Sequence, residues 1–160
     1  HHHRNPGVVT AGFLNDELFT EMIVDGIHLN PVVVDTTFKI KGVDKVIAIT
    51  DSMRAKGLPD GEYEFGGQTV YKKGSEARLA SGALAGSVAE MDFCLRNIKE
   101  FTGCSMRDIV KMSSENSAKH LNIFDRKGSI AQGKDADIVI VNDDIEVFTT
   151  ICKGKVAYKK

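Results

Sequence analysis

Val46-Ile47-Ala48-Ile49 is an unbroken apolar run, and it stops at Thr50-Asp51-Ser52. A strand wetted on one face alternates apolar and polar residues. Four apolar residues in succession suit a strand covered on both faces, as in a parallel sheet. Open α/β sheets and β/α barrels carry their chemistry just past the carboxyl ends of such strands. Asp51 falls at that place. An isolated aspartate there equally caps a helix or opens a turn, so its meaning depends on the rest of the chain.

The preceding residues repeat the pattern. Pro6 leads into Val8, Val9, Ala11, Phe13 and Leu14, which predicts a short helix with proline in its first turn, broken at Asn15-Asp16. Glu21-Met22-Ile23-Val24 reads as a second buried strand, ended by Asp25-Gly26-Ile27-His28. Residues 31–40 read as a helix opening on proline. Helix, strand, helix, strand is the signature of β/α units around a parallel sheet.

After Asp51 the texture changes. Residues 54–61 read as a loop, and 62–65 and 68–71, joined by Gly66-Gly67, predict a β-hairpin beside the active face of a barrel. Residues 78–86 are small and flexible in composition. A helix is expected over 87–101, where Val88, Met91, Leu95, Ile98 and Phe101 form one apolar stripe. Ser87 and Glu90 have capping-box spacing, and Met91 reads as core. Gly103 ends this helix, Ser105 and Asp108 start another over 106–112, and a third covers 114–121. Short strands at 136–141, 145–152 and 156–158 make an all-β tail, with a domain boundary near 122–128. About four β/α units are counted, where a closed barrel needs eight and usually about 250 residues. A half-barrel would leave two open sheet edges. The chain therefore reads as part of a larger molecule, or as one that another chain completes.

Composition narrows the function. The chain has 160 residues, a formal charge of −1 and 42% hydrophobic residues, enough for a real core. The balanced charge gives no field for nucleic acid. Lys153, Lys155, Lys159 and Lys160 cluster at the carboxyl end and read as a solvated edge. No apolar stretch approaches the ~20 residues that span a bilayer, and no signal peptide is visible. No membrane partner is expected. The chain does not open with Met, which leaves room for native sequence before it. Cys94, Cys104 and Cys152 are odd in number and form no CxxC pair, so they read as reduced thiols of a cytoplasmic protein. His1-His2-His3 reads either as the tail of a purification tag or as native sequence leading into Arg4-Asn5-Pro6-Gly7.

Several segments carry a resemblance. Residues 128–139, GSIAQGKDADIV, are similar to the carboxyl-terminal signature of the amidohydrolase superfamily, where they form strands of a small β-sandwich attached to a (β/α)8 barrel. Thr50-Asp51-Ser52 resembles the superfamily's strand-8 aspartate. HHRNPG at 2–7, DGIH at 25–28, ITDSMRAKG at 49–57 and LAGSVAEM at 84–91 resemble the N-acetylglucosamine-6-phosphate deacetylase family, in the same order and at similar spacing. The resemblance runs over essentially the whole chain. It implies that His2-His3-Arg4 are native. It implies an α/β fold in which residues 1–122 are the carboxyl-terminal half of a TIM-type (β/α)8 barrel and 123–160 are strands of the sandwich.

A reaction is implied too: hydrolysis of the acetamide of N-acetylglucosamine 6-phosphate to glucosamine 6-phosphate and acetate. By motif match Asp51 is the residue that takes a proton from water and passes it to the leaving amine. Arg4 matches the arginine that contacts the sugar phosphate, which suits a guanidinium's paired donors. His28 matches a substrate-holding histidine, and Asp25, Gly26 and Ile27 line the same turn, with backbone groups to offer the ligand. Leu84, Ala85 and Gly86 match a loop lying near the acetyl end. The family works as a dimer in which some phosphate contacts cross the interface, so the resemblance implies a homodimer and leaves open whose pocket Arg4 and His28 serve. A divalent metal, zinc or iron, is implied for the complete enzyme. Its glutamate and two histidine ligands lie upstream of the HHRNPG segment, and no His-x-His ligand spacing occurs elsewhere in this chain. His120 stands alone beside an expected helix. The isolated chain is expected to bind no metal and to need an amino-terminal half. Two other readings compete. One is a non-catalytic sugar-phosphate-binding module. The other is an amidohydrolase acting on a cyclic amide or related substrate, which the tail signature and Asp51 fit equally well.

Overall fold

In a computed structural model that describes residues 2–160, the chain forms one parallel strand pair, two antiparallel sheets and a set of helices. His1, native or tag, lies outside the described residues. Helix α1 (Gly7–Leu14) follows Pro6 and buries none of its residues. Strand β1 (Thr20–Ile23) leads to α2 (Pro31–Lys41), which starts sharply. Asn30 Oδ1 accepts the Val32 N–H at 2.9 Å, and Pro31 takes a first-turn position where its missing N–H costs nothing. Lys41, buried, closes the helix by donating to the carbonyls of Gly12 and Asn15 at 2.8 and 2.7 Å, which ties α1 to α2. Strand β2 (Val46–Ile49) then lies parallel to β1, in register from Thr20–Val46 to Ile23–Ile49. Val46, Ile47 and Ala48 are all buried, as the apolar run requires.

Among the described residues the parallel sheet holds only these two strands, so the roughly four β/α units counted from sequence reduce to two. β3–β4, β4–β5 and β7–β8 are joined by tight turns that contain glycine, which only antiparallel pairing allows. Strands β3 (Gly61–Phe65) and β4 (Gln68–Lys73) make the expected hairpin about Gly66-Gly67. A third strand, β5 (Glu76–Leu79), adds to it without a counterpart among the expected strands, and its last two residues open the segment, 78–86, expected to be flexible. Its brevity and its charged Glu76 and Arg78 hide the strand, yet Ala77 is buried and Leu79 packs inward.

Helix α3 (Met91–Thr102) starts four residues later than expected, with Glu90 rather than Ser87 at its cap and no side-chain capping bond. Gly103, at φ 66°, stops it in the left-handed conformation. Helix α4 (Met106–Val110) has the expected reciprocal cap between Ser105 and Asp108. The two helices expected after Gly103 are one continuous run, because Lys111–Glu115 is a π-helical turn that passes directly into α5 (Asn116–His120). Strands β6 (Ile138–Val141), β7 (Val147–Cys152) and β8 (Lys155–Lys159) form the antiparallel tail. It docks on α3: Arg96 and Lys99 donate to the carbonyls of Ile145 and Asp143, and Ile145 joins the main core.

The described residues form two cores. The larger gathers Met22 and Val24 with Val34, Val46, Ala48, Ile98, Ile109 and Met112. The smaller gathers Met53, Ala55, Val70, Ala77, Ala85 and Val88 under the three-stranded sheet. Residues 50–52 pass between them. Cys94, Cys104 and Cys152 are free, and burial pushes the Cys94 thiol up to about 11. No helix among the described residues is long and apolar enough to cross a membrane.

Candidate functional site

Because β1 and β2 are parallel, the segments that leave their carboxyl ends, Asp25–His28 and Asp51–Ser52, emerge on one edge of the sheet. Asp51 is exposed and has φ 49°, a left-handed backbone that costs a non-glycine residue energy and that aspartate tolerates better than most; Asn122, Ile145 and Lys153 share it. Its conformation is held from the next segment. Ser87 N–H donates to the Asp51 carbonyl at 3.0 Å, and the Met53 N–H donates back to the Ser87 carbonyl at 2.9 Å. These two bonds make a short parallel bridge between Ser52 and Ser87.

The expected loop, Leu84-Ala85-Gly86, leads into that bridge. Ala85 is buried and its N–H donates to the Ala77 carbonyl at 2.9 Å. Leu84 pairs with Arg78 across a second bridge. Gly86 has φ 69°, and a methyl group there would sit 3.2 Å from the Asp51 carbonyl oxygen and 3.3 Å from Met53 Cβ. Glycine is therefore required by the close approach of this loop to Asp51.

On the β1 side, Asp25 is nearly fully buried, and its carboxylate is surrounded by donors. Oδ1 accepts the N–H groups of Ile27 at 3.0 Å and His28 at 2.9 Å. Oδ2 lies 2.8 Å from His28 Nδ1 and 3.3 Å from the Ser87 hydroxyl. Burial alone would raise the Asp25 carboxyl, but the N–H donors of His28 and Ile27 and the His28 ring together hold it below the ordinary range. The N–H groups of Ile27 and His28 thus serve the turn itself. Gly26, at φ 79°, lets the turn close. Asn97 supports it from beneath, its Nδ2 donating to the Val24 carbonyl at 2.9 Å.

The structure brings together Asp51, the Leu84–Gly86 loop, Asp25, Gly26, Ile27 and His28 through Ser87. Among the described residues no hydrogen bond or ion pair joins Arg4 to them. Arg4 lies in an exposed turn, where its backbone N–H donates to His2 Nδ1 and its Nη1 to His3 Nε2 at 2.7 Å. Sequence reasoning missed two members. Ser87 was expected to cap a helix; instead its hydroxyl accepts the Ala89 N–H and donates to Asp25. Asn97 lies within a helical run, and its signal was a polar residue one position from Ile98 on the buried stripe. Among the described residues no group of three or more His, Cys, Asp or Glu side chains is placed to hold a metal ion. The residues present therefore do not fit a metal centre of their own.

The amidohydrolase family pattern matches residues 13–157. The chain is 54% identical over 157 residues to the N-acetylglucosamine-6-phosphate deacetylase of Bacillus subtilis (strain 168), covering 98% of this chain and 40% of that protein. It is 35% identical to a putative N-acetylgalactosamine-6-phosphate deacetylase of Escherichia coli (strain K12), covering 98% of this chain and 93% of that one. The crystal structure of N-acetylglucosamine-6-phosphate deacetylase from Thermotoga maritima superposes with a TM-score of 0.93 at 38% identity, over 99% of this chain and 44% of that one. The chain thus spans about two fifths of the length of the Bacillus and Thermotoga proteins.

Proposed function

This chain belongs to the amidohydrolase family, and on that premise we propose that it supplies the proton-transfer and substrate-facing part of an enzyme that deacetylates N-acetylglucosamine 6-phosphate. The observation that carries the proposal is Asp51: an exposed carboxylate in a strained backbone, past the end of a buried parallel strand, held one bridge away from the Asp25–His28 pair. The carboxylate accepts a proton from the water that adds to the acetamide carbonyl carbon. As the C–N bond breaks, it returns that proton to the departing amine nitrogen, leaving acetate and the free amino sugar. His28 and Arg4 are the residues proposed to meet the phosphorylated sugar, and Gly86 and its loop lie against the acetyl end. Arg4 is exposed and makes its hydrogen bonds to His2 and His3 rather than to the cluster, which fits a role toward a neighbouring subunit of a homodimer.

The divalent cation that the resemblance implies takes its ligands, in this proposal, from residues outside this chain. Residues 1–122 are read as the carboxyl-terminal half of a (β/α)8 barrel and 123–160 as strands of the small β-sandwich. Cytoplasmic amino-sugar breakdown is the proposed setting. Identity of 54% with the Bacillus deacetylase favours the gluco substrate over its galacto epimer.

The test is a hybrid in which this chain replaces the matching segment of the Bacillus subtilis enzyme. The hybrid is expected to deacetylate N-acetylglucosamine 6-phosphate. Asp51→Asn, which keeps the shape and removes the proton acceptor, is expected to lower kcat by about 10²–10⁴-fold with little change in KM. A variant that retains more than a third of kcat would remove Asp51 from the reaction.

A further inference from the structure

The Asp25 carboxylate has no room left for a ligand. Oδ1 takes two backbone N–H groups, Oδ2 takes the His28 ring and the Ser87 hydroxyl, and the residue is 5% exposed. Since an ionised carboxylate only accepts hydrogen bonds, the His28 nitrogen facing it must carry the hydrogen. The ring has no other hydrogen bond among the described residues, and its side chain is 19% exposed, against 2% for that of Asp25. The ring therefore presents Nε2 as its uncommitted nitrogen. Ser87 completes the arrangement from the other side, with its hydroxyl on Asp25 and its N–H on the Asp51 carbonyl.

We infer that Asp25 and Ser87 are positioning residues: Asp25 fixes a hydrogen on His28 Nδ1 and leaves Nε2 as the nitrogen that faces a ligand, and Ser87 locks that unit to the backbone of Asp51. The carboxylate behind an imidazole ring is a general device for choosing the tautomer and the ring's direction. Here it also sets the spacing between a ligand-facing nitrogen and the proton-transfer carboxylate, because one serine touches both segments. This assignment deepens the proposed function and rests on it for the identity of the ligand, but the tautomer and its cause do not. It moves Asp25 from a substrate contact to a group that acts through His28.

The isosteric variant Asp25→Asn gives a sharp test. Two backbone donors converge on the Oδ1 position, so the amide oxygen must sit there and the amide NH₂ must face His28. The ring nitrogen nearest it then has to accept, and the tautomer inverts. Long-range ¹H–¹⁵N spectra of histidine-labelled 160-residue chain, recorded above the titration of imidazole, read each ring nitrogen separately. The native chain is expected to show His28 Nδ1 protonated and Nε2 bare. Asp25→Asn is expected to show the reverse, and Ser87→Ala the native pattern. A native His28 protonated on Nε2 overturns the inference, as does an Asp25→Asn chain that keeps the native tautomer. If Asp25→Asn does not fold, the native spectrum decides alone. A native tautomer as expected, together with an inactive hybrid enzyme, would uphold the positioning role and reject the deacetylase reading.

Discussion

Asp51 and Gly86 form a pair in which each residue's conformation requires the other's. Asp51 turns its carbonyl toward the incoming loop at φ 49°, and the loop can come that close only because residue 86 has no side chain. Gly86→Ala meets two penalties at once, a left-handed backbone at φ 69° and a methyl group 3.2 Å from a carbonyl oxygen that cannot rotate away. The expected cost is about 1–3 kcal/mol of stability, read as a lower urea midpoint. Activity of the hybrid enzyme should fall further than this loss explains, because Asp51 itself is displaced. An unchanged midpoint would show that the loop yields. Asp51 was legible in the sequence because an apolar run pointed at it. Gly86 was legible as part of a small loop, although not as a spacer. Ser87 was misread, because serine three residues before a glutamate satisfies a helix cap and a site contact equally well on paper.

At the scale of elements, the turn after β1 is built around a buried anion, and its strength should depend on pH. The folded Asp25 carboxyl titrates below its ordinary value, so the folded state binds that proton less readily than the unfolded chain does. Its stabilising contribution is present in full above the ordinary aspartate range near ~3.9 and is lost as pH falls through the lower folded value. Native chain and Asp25→Asn, compared by urea unfolding, should differ most above pH ~5, and the gap should close with acid. A gap that stays constant down to pH ~2 would mean that Asp25 is not the titrating anchor. The elements themselves were mostly readable. β2 and the hairpin carry strong local signals, in apolar continuity and paired glycines. β5 was hidden by its two charged residues, and the π-helical turn had no local signal at all. That turn is explained only by tertiary packing: buried Asn116 donates to the carbonyls of Val43 and Val46, both at 2.7 Å, and draws the helix toward β2.

For the molecule as a whole, the β1–β2 sheet is the decisive feature. Two parallel strands lead into Asp25–His28 and Asp51 on one edge, yet parallel sheets are normally covered and extended on both sides. Large apolar residues stand in solvent at opposite ends of the chain, Val8 at 85% exposure and Val156 at 63%. The chain also spans 40% of the Bacillus relative. Without a cation beside it, water keeps a pKa near ~15.7, and one exposed carboxylate is far too weak a base to remove its proton at neutral pH. Incubation of the 160-residue chain with N-acetylglucosamine 6-phosphate is therefore expected to release no acetate, with or without added zinc or ferrous iron, whereas the hybrid enzyme releases it. Any metal-stimulated turnover by the chain alone, abolished by Asp51→Asn, would mean that its own side chains assemble a centre in solution. The cation would then not depend on residues outside this chain.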